Sequence, residues 1–277
     1  MTWRGSASSD QTTASNSIMK VCLYAVATGK YARMAEGLIS SLRDRGVEYD
    51  FIAFSDSVVG GASDTIPVEP LSAPSVYFQK IAMLRHLSSL GYDYLVCMDC
   101  DILCLRTFSV DRFLDLPCFA ILEDNLEDCA SRKNDPPRRN RTWYGFSLED
   151  FTKLILSKNP EVSRPLFGLN AGFFGVRSDL CDEFVDWHEK VTEFDRSEEP
   201  GLVLAIHSMT NDLSRLSIKT NSDLILPVIG DPKEVLRSGI VEYFSPFTSW
   251  STQDSPALAH FCFHGKQVVS DYRSKVQ

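Results

Sequence analysis

The apolar run Tyr94-Leu95-Val96-Cys97-Met98 breaks off abruptly into Asp99-Cys100-Asp101. An uninterrupted apolar run of this length reads as a strand buried on both faces, the central kind found in α/β sheets. Open sheets of that class place ligand chemistry beyond the carboxyl ends of their strands, where these two aspartates fall. Side chains alternate along an extended chain, so Asp99 and Asp101 are expected on a shared face. Neighbouring carboxylates repel each other and resist desolvation, and a divalent cation removes that conflict. The pattern points to a Mg²⁺ or Mn²⁺ site that holds a phosphate. Two solvated turn aspartates are the alternative.

The rest of the chain alternates strand and helix signals. Residues 19–27 read as a first strand, Thr28-Gly29-Lys30-Tyr31 as a turn, and 32–45 as a helix stopped by Gly46. A strand over 49–54 ends at Ser55-Asp56, and a short strand follows near 65–68. Ile81, Leu84, Leu87 and Leu90 form an apolar stripe on a helix over 76–90, ended by Gly91. Further strands are expected at 118–122, 169–177, 224–228, 241–244 and 258–263. Further helices are expected at 147–157, opened by Ser147 with Asp150 in a capping-box pattern, at about 178–194, capped by Ser178, and at 202–216. This alternation predicts a largely parallel, doubly wound α/β sheet. It forms one domain over 18–277 behind a Ser- and Thr-rich tail, 1–17, expected to be disordered.

With 277 residues, 44% of them hydrophobic, the chain can bury one sizeable core. Its net charge of −9 argues against nucleic acid as the main partner. No apolar stretch is long enough to span a bilayer, and the tail lacks a signal core. A soluble or cytoplasmic protein is expected, alone or as the catalytic part of a longer anchored enzyme. The basic cluster Arg132, Lys133, Arg138, Arg139 and Arg141 surrounds Asp135-Pro136-Pro137. It reads as a loop, either solvated or a flap over an anionic ligand. Eight cysteines are spread through core segments. Cys97, Cys100 and Cys104 have a zinc-like spacing, but no second pair completes four ligands, so buried free thiols are expected.

Four stretches, in order, resemble retaining glycosyltransferases of the GT-A (Rossmann-like) fold. The echoes are family 6, the blood-group and α-galactosyl transferases, and family 8, with glycogenin. The similarity covers about residues 19–266 and is patchy between 125 and 165. Residues 94–101 look like the family 6 strand with its Asp-x-Asp signature. Thr28-Gly29-Lys30-Tyr31 with Phe54-Ser55-Asp56 is similar to its nucleotide-binding opening, Ile81-Ala82-Met83-Leu84-Arg85 to its donor-side helix, and Asn170-Ala171-Gly172-Phe173-Phe174-Gly175 to the strand lining the donor sugar. His260-Phe261-Cys262-Phe263-His264-Gly265-Lys266 resembles the family 8 segment in which a His ligates metal and a Lys, six positions later, binds phosphate. Phe263 stands where that family has Gly. Both spacings fit His260 and Lys266, so His260 is the expected ligand, while His264-Gly265 leaves open which histidine it is.

The resemblance implies a role for each of these residues. Val26, Thr28 and Tyr31 would hold uracil, with Asp56 near the base or ribose. Asp99 would contact ribose and metal, and Asp101 and His260 the metal. Arg85 would brace the first aspartate or the donor. Asn170 and Gly172 would wall the sugar, and Lys266 would meet the diphosphate. The family 6 glutamate after this strand is replaced by Thr210, so Asn211 and Asp212 become the expected acceptor or sugar contacts, with Glu123 and Asp124 behind them. The implied reaction moves a hexose from a UDP-sugar to a hydroxyl of a glycan, protein or small molecule. It would use Mn²⁺ or Mg²⁺ and retain the anomeric configuration. Two other classes stay open. One is a pseudo-transferase that binds nucleotide or glycan without turnover. The other is an Asp-x-Asp phosphohydrolase of the haloacid-dehalogenase type, against which Leu103 replaces the usual Thr or Val.

Overall fold

The computed structural model describes residues 19–69, 75–125, 142–143, 146–191, 198–210, 224–228, 257–261 and 266–275. In chain order they form β1 (Val21–Val26), α1 (Tyr31–Asp44), β2 (Asp50–Ser55), β3 (Asp64–Pro67), α2 (Ser75–Leu87), β4 (Tyr94–Met98), β5 (Ile102–Cys104) and β6 (Cys118–Asn125). There follow β7 (Thr142–Trp143), β8 (Phe146–Ser147), α3 (Leu148–Lys158), β9 (Phe167–Arg177), α4 (Cys181–Glu189), α5 (Glu199–Met209), β10 (Ile225–Val228), β11 (Leu258–Phe261) and α6 (Lys266–Lys275).

A six-stranded sheet of order β3-β2-β1-β4-β9-β6 carries the core. β1, β2, β3 and β4 run parallel, whereas β9 is antiparallel to both β4 and β6. The sheet is thus mostly parallel and flanked by helices. The chain runs outward from β1 to β3 and then returns across β1 to β4. With right-handed crossovers that reversal puts α1 and α2 on opposite faces. It also opens a crevice beyond the carboxyl ends of β1 and β4.

The local reasons are those of the sequence. Side chains of β4 are at most 1% exposed, as a strand covered on both faces requires. Met34, Ala35, Leu38, Ile39 and Leu42 make the buried stripe of α1. Ser147 caps α3 by accepting a hydrogen bond from the Asp150 amide at 3.1 Å.

Several boundaries differ from expectation. Leu90 leaves the α2 stripe for a 3-10 turn, Ser88–Leu90, and is 40% exposed. Ser178 does not cap a helix: its amide is tied to the Asp93 carbonyl at 3.0 Å, a 3-10 turn intervenes, and α4 ends at Glu189. The strand expected at 241–244, residues 211–216 of the expected helix, the tail 1–17 and the basic cluster lie outside the described residues. No helix among the described residues is long and apolar enough to cross a membrane.

Two features without a sequence signal shape the site. β5 pairs antiparallel with β11 in a second sheet of order β10-β11-β5, with His260 opposite Ile102. α6 packs on α1 at Gly37, where a Cβ would collide with the Val269 carbonyl. Tyr272 of α6 donates to Asp44 of α1 at 3.1 Å.

Candidate metal centre and its cavity

A cavity of about 260 Å³ lies in the crevice at the carboxyl ends of β1 and β4. Its wall includes Val26, Thr28 and Tyr31 from the end of β1 and start of α1, Tyr77 and Lys80 from α2, Asp99 and Asp101 after β4, and Lys266 from α6. The three residues expected to hold a base and the two expected aspartates therefore share one cavity with the expected lysine.

The aspartates do not share a face by strand alternation. Asp99 follows the last residue of β4, and the chain turns at once, with the Ile102 amide donating to the Asp99 carbonyl at 3.2 Å. Strand pairing between β5 and β11 then brings His260 alongside. The Phe261 amide donates to the Asp101 carbonyl at 2.8 Å, so the register is fixed on either side of the site. His260 Nε2 lies 3.0 Å from Asp101 Oδ1 and 3.7 Å from Asp99 Oδ2. Ligand atoms of Asp99, Asp101 and His260 all fall within 4.8 Å of one another.

Whether these residues fit a cation can be judged from their surroundings. Asp101 Oδ1 is fully buried, and among the described residues it takes part in no well-directed hydrogen bond. His260 Nε2 stands 3.0 Å from this oxygen, so imidazole and carboxylate meet face to face with no other described side chain between them. Two carboxylates with one imidazole form a donor set suited to Mn²⁺ or a similar divalent ion. The residues fit the group.

Two lysines balance the carboxylates. Lys266 Nζ lies 2.7 Å from Asp101 Oδ2. Burial alone would raise the Asp101 carboxyl, but His260 and Lys266 beside it hold it at about 2. Burial likewise works against charge on His260, yet Asp101 and then Asp99 raise its pKa above the ordinary imidazole value. Lys80 Nζ lies 2.9 Å from Asp99 Oδ1 and 2.6 Å from Glu198 Oε1, and donates to the Ala171 carbonyl at 3.2 Å. Its burial opposes the charge, and Asp99 and Glu198 outweigh that penalty, so its pKa is raised.

Lys80 thus stands at Asp99 in place of the expected Arg85. Arg85 is turned onto α4, where it pairs with Asp186 at 2.6 Å and Glu189 at 3.0 Å. The two side chains are five positions apart, which sets them about 140° apart around a helix. The sequence does carry a signal for Lys80. It stands at i relative to Leu84 and Leu87 at i+4 and i+7, a lysine inside the buried stripe, where an unpaired ammonium would not be tolerated. Glu198, just ahead of α5, has no comparable signal.

The remaining expected residues are placed as follows. Asp56 Oδ1 accepts from the Gly29 amide at 2.9 Å and so braces the turn that carries Thr28 and Tyr31. Asn170 and Gly172 lie on β9, with Asn170 Oδ1 accepting from the Gly172 amide at 2.8 Å. The Gly172 carbonyl accepts from the Asp99 amide at 2.8 Å. Glu123 and Asp124 fall near the end of β6. Thr210, which follows α5, is buried, and its carbonyl accepts from the Ser163 hydroxyl at 2.7 Å. Asn211, Asp212 and His264 lie outside the described residues. Cys22, Cys97, Cys100, Cys104, Cys118 and Cys181 are buried free thiols, and none joins a metal-ligand group among the described residues. Cys129 and Cys262 lie outside them.

No family model and no curated protein matches the chain. Among solved structures it is similar to the apo form of the WbbM bifunctional glycosyltransferase, with a TM-score of 0.56 and 12% sequence identity over 92% of this chain and 49% of that one. The chain therefore spans about half the length of WbbM, and at that identity what the two share is an α/β fold with a mostly parallel sheet flanked by helices.

Proposed function

We propose that this chain is a metal-dependent glycosyltransferase that moves a hexose from a UDP-sugar to a hydroxyl of a glycan, protein or small molecule. The observation that carries the reading is the convergence of Asp99, Asp101 and His260 within 4.8 Å, with both aspartates on the wall of a cavity that Lys266 also lines. A glycosyltransferase with the same fold supports it.

Asp99, Asp101 and His260 would hold the cation. When bound, a divalent ion such as Mn²⁺ supplies positive charge opposite a diphosphate as negative charge gathers on the departing nucleotide. The chain contributes to the same end through Lys266, whose side chain is 38% exposed beside Asp101 and free to turn toward a phosphate. Tyr31 offers a ring on which a base can stack, with Val26 as an apolar shelf and Thr28 as a hydroxyl partner. Lys80, held by Glu198 and Asp99, fixes the Asp99 carboxylate and keeps a buried cation on the cavity wall. Asn170 and Gly172 are assigned to the sugar side, and Asn211, Asp212 and Asp124 to acceptor or sugar contacts. Retention at the anomeric carbon rests on the resemblance to families 6 and 8.

Incubation with UDP-glucose, UDP-galactose and their N-acetyl forms in the presence of Mn²⁺ should release UDP when an acceptor, or water, is available. Silence with all four overturns the donor assignment. Tight UDP binding without release would identify a binding protein instead.

A further inference from the structure

Gly172 is in contact with two of the three candidate metal ligands. Its carbonyl accepts from the Asp99 amide at 2.8 Å, which pins the residue that leaves β4. On the other side the absent side chain makes room for His260. A Cβ built on Gly172 would lie 2.6 Å from His260 Cε1 and 3.0 Å from its Nδ1. The same Cβ would stand 2.8 Å from Asn170 Oδ1, the atom that holds the Gly172 amide.

The His260 ring cannot give way cheaply. The His260 side chain is only 9% exposed, and its far edge faces Asp101 at 3.0 Å. Its backbone is locked on β11 opposite Ile102, with the Phe261 amide tied to the Asp101 carbonyl. Asn170 is partly exposed, and its side-chain amide can turn aside at the loss of its bond to the Gly172 amide. A methyl group at 172 therefore drives the imidazole off its line to the carboxylates or pushes β9 away from β4. The first movement separates His260 from Asp99 and Asp101, and the second pulls on Asp99 through the hydrogen bond from its amide to the Gly172 carbonyl.

We infer that Gly172 is a positioning residue of the metal centre: its bare Cα seats the His260 ring while its carbonyl holds Asp99. This inference rests on the metal reading above but assigns Gly172 a task separate from contact with a donor sugar. Groups that orient metal ligands from behind typically change metal affinity by about 10- to 100-fold when altered.

The experiment is Mn²⁺ binding, without nucleotide or sugar, followed by the electron paramagnetic resonance signal of free Mn²⁺. It is carried out on the unsubstituted chain, Gly172→Ala, His260→Ala and the double variant, with circular dichroism to confirm folding. Gly172→Ala is expected to weaken Mn²⁺ binding about tenfold or more. In the His260→Ala background the same change should cost less than about twofold, because the ring it displaces is gone. Equal Mn²⁺ affinity in the unsubstituted chain and Gly172→Ala overturns the inference, as does an undiminished loss in the His260→Ala background. If Gly172→Ala alone fails to fold, the double variant decides: recovery of the fold supports the steric seat, and continued failure overturns it. No Mn²⁺ binding by the unsubstituted chain would instead remove the metal centre itself, and the inference with it.

Discussion

Lys80 and Glu198 form an ion pair of 2.6 Å in which each side chain is only 6% exposed. The pair joins α2 to the segment entering α5, and its lysine goes on to Asp99. Truncating one member of such a pair leaves a desolvated charge behind, which typically costs about 3–5 kcal/mol. Lys80→Met should therefore lower the unfolding free energy by about that amount in urea titrations. Lys80→Met combined with Glu198→Leu should recover part of it. A Lys80→Met chain as stable as the unsubstituted protein would mean that the pair is not desolvated in solution.

The α6 helix sets Lys266 in the cavity, and α6 in turn depends on close approach to α1 at Gly37. Gly37→Ala forces the Val269 carbonyl away and shifts the helix. Lys266→Met removes the ammonium without touching that packing. Both variants should weaken binding of UDP in the presence of Mn²⁺ by about tenfold, the effect of losing one charge-assisted contact of about 1.4 kcal/mol. Only Gly37→Ala should also lower the melting temperature. Calorimetric titration with UDP and a thermal scan separate the two. Unchanged UDP affinity in Lys266→Met would detach Lys266 from the nucleotide.

His188 makes stability depend on acidity. Burial pushes its pKa down to about 4, despite a 3.1 Å contact between Nε2 and the Glu198 carbonyl. The unfolded chain takes up this proton near pH 6.5, before the folded one does, so unfolding is favoured as pH falls from about 6.5 to 4. Over that window the histidine should remove about 3 kcal/mol of stability, at about 1.4 kcal/mol for each pH step of one. Above pH 6.5 it should have no effect. Urea midpoints at about pH 7, above that fall, and at about pH 4.5, most of the way down it, test this, and His188→Gln should flatten the difference. An equal acid sensitivity in that variant would assign it to other groups.

Legibility in the sequence differs from one part of the site to another for physical reasons. β4 and its aspartates are readable because burial on both faces forces a continuous apolar run, and a carboxylate pair beside it has no packing role. How the aspartates meet is not readable. It depends on a turn after Met98 and on β5, a strand of three residues that carries no periodicity of its own. His260 can be named from a motif, but the pairing of β11 with β5 that delivers it joins segments far apart in the chain. Lys80 is detectable as a charge within an apolar stripe. The motif resemblance points instead to Arg85, which helix geometry sends to α4. The antiparallel direction of β9 is equally silent, since a buried strand has the same composition whichever way it runs.

The pairing of β5 with β11 also orders events in time. While a ribosome makes this chain, Asp99 and Asp101 emerge early and much of the large sheet can form around them, whereas His260 comes long afterwards. Of the three candidate ligands, a nascent chain would then offer a passing metal ion only the two carboxylates. Capture by all three would wait for β11 to dock, and an ion held there would act as a rivet between older and younger parts of the molecule.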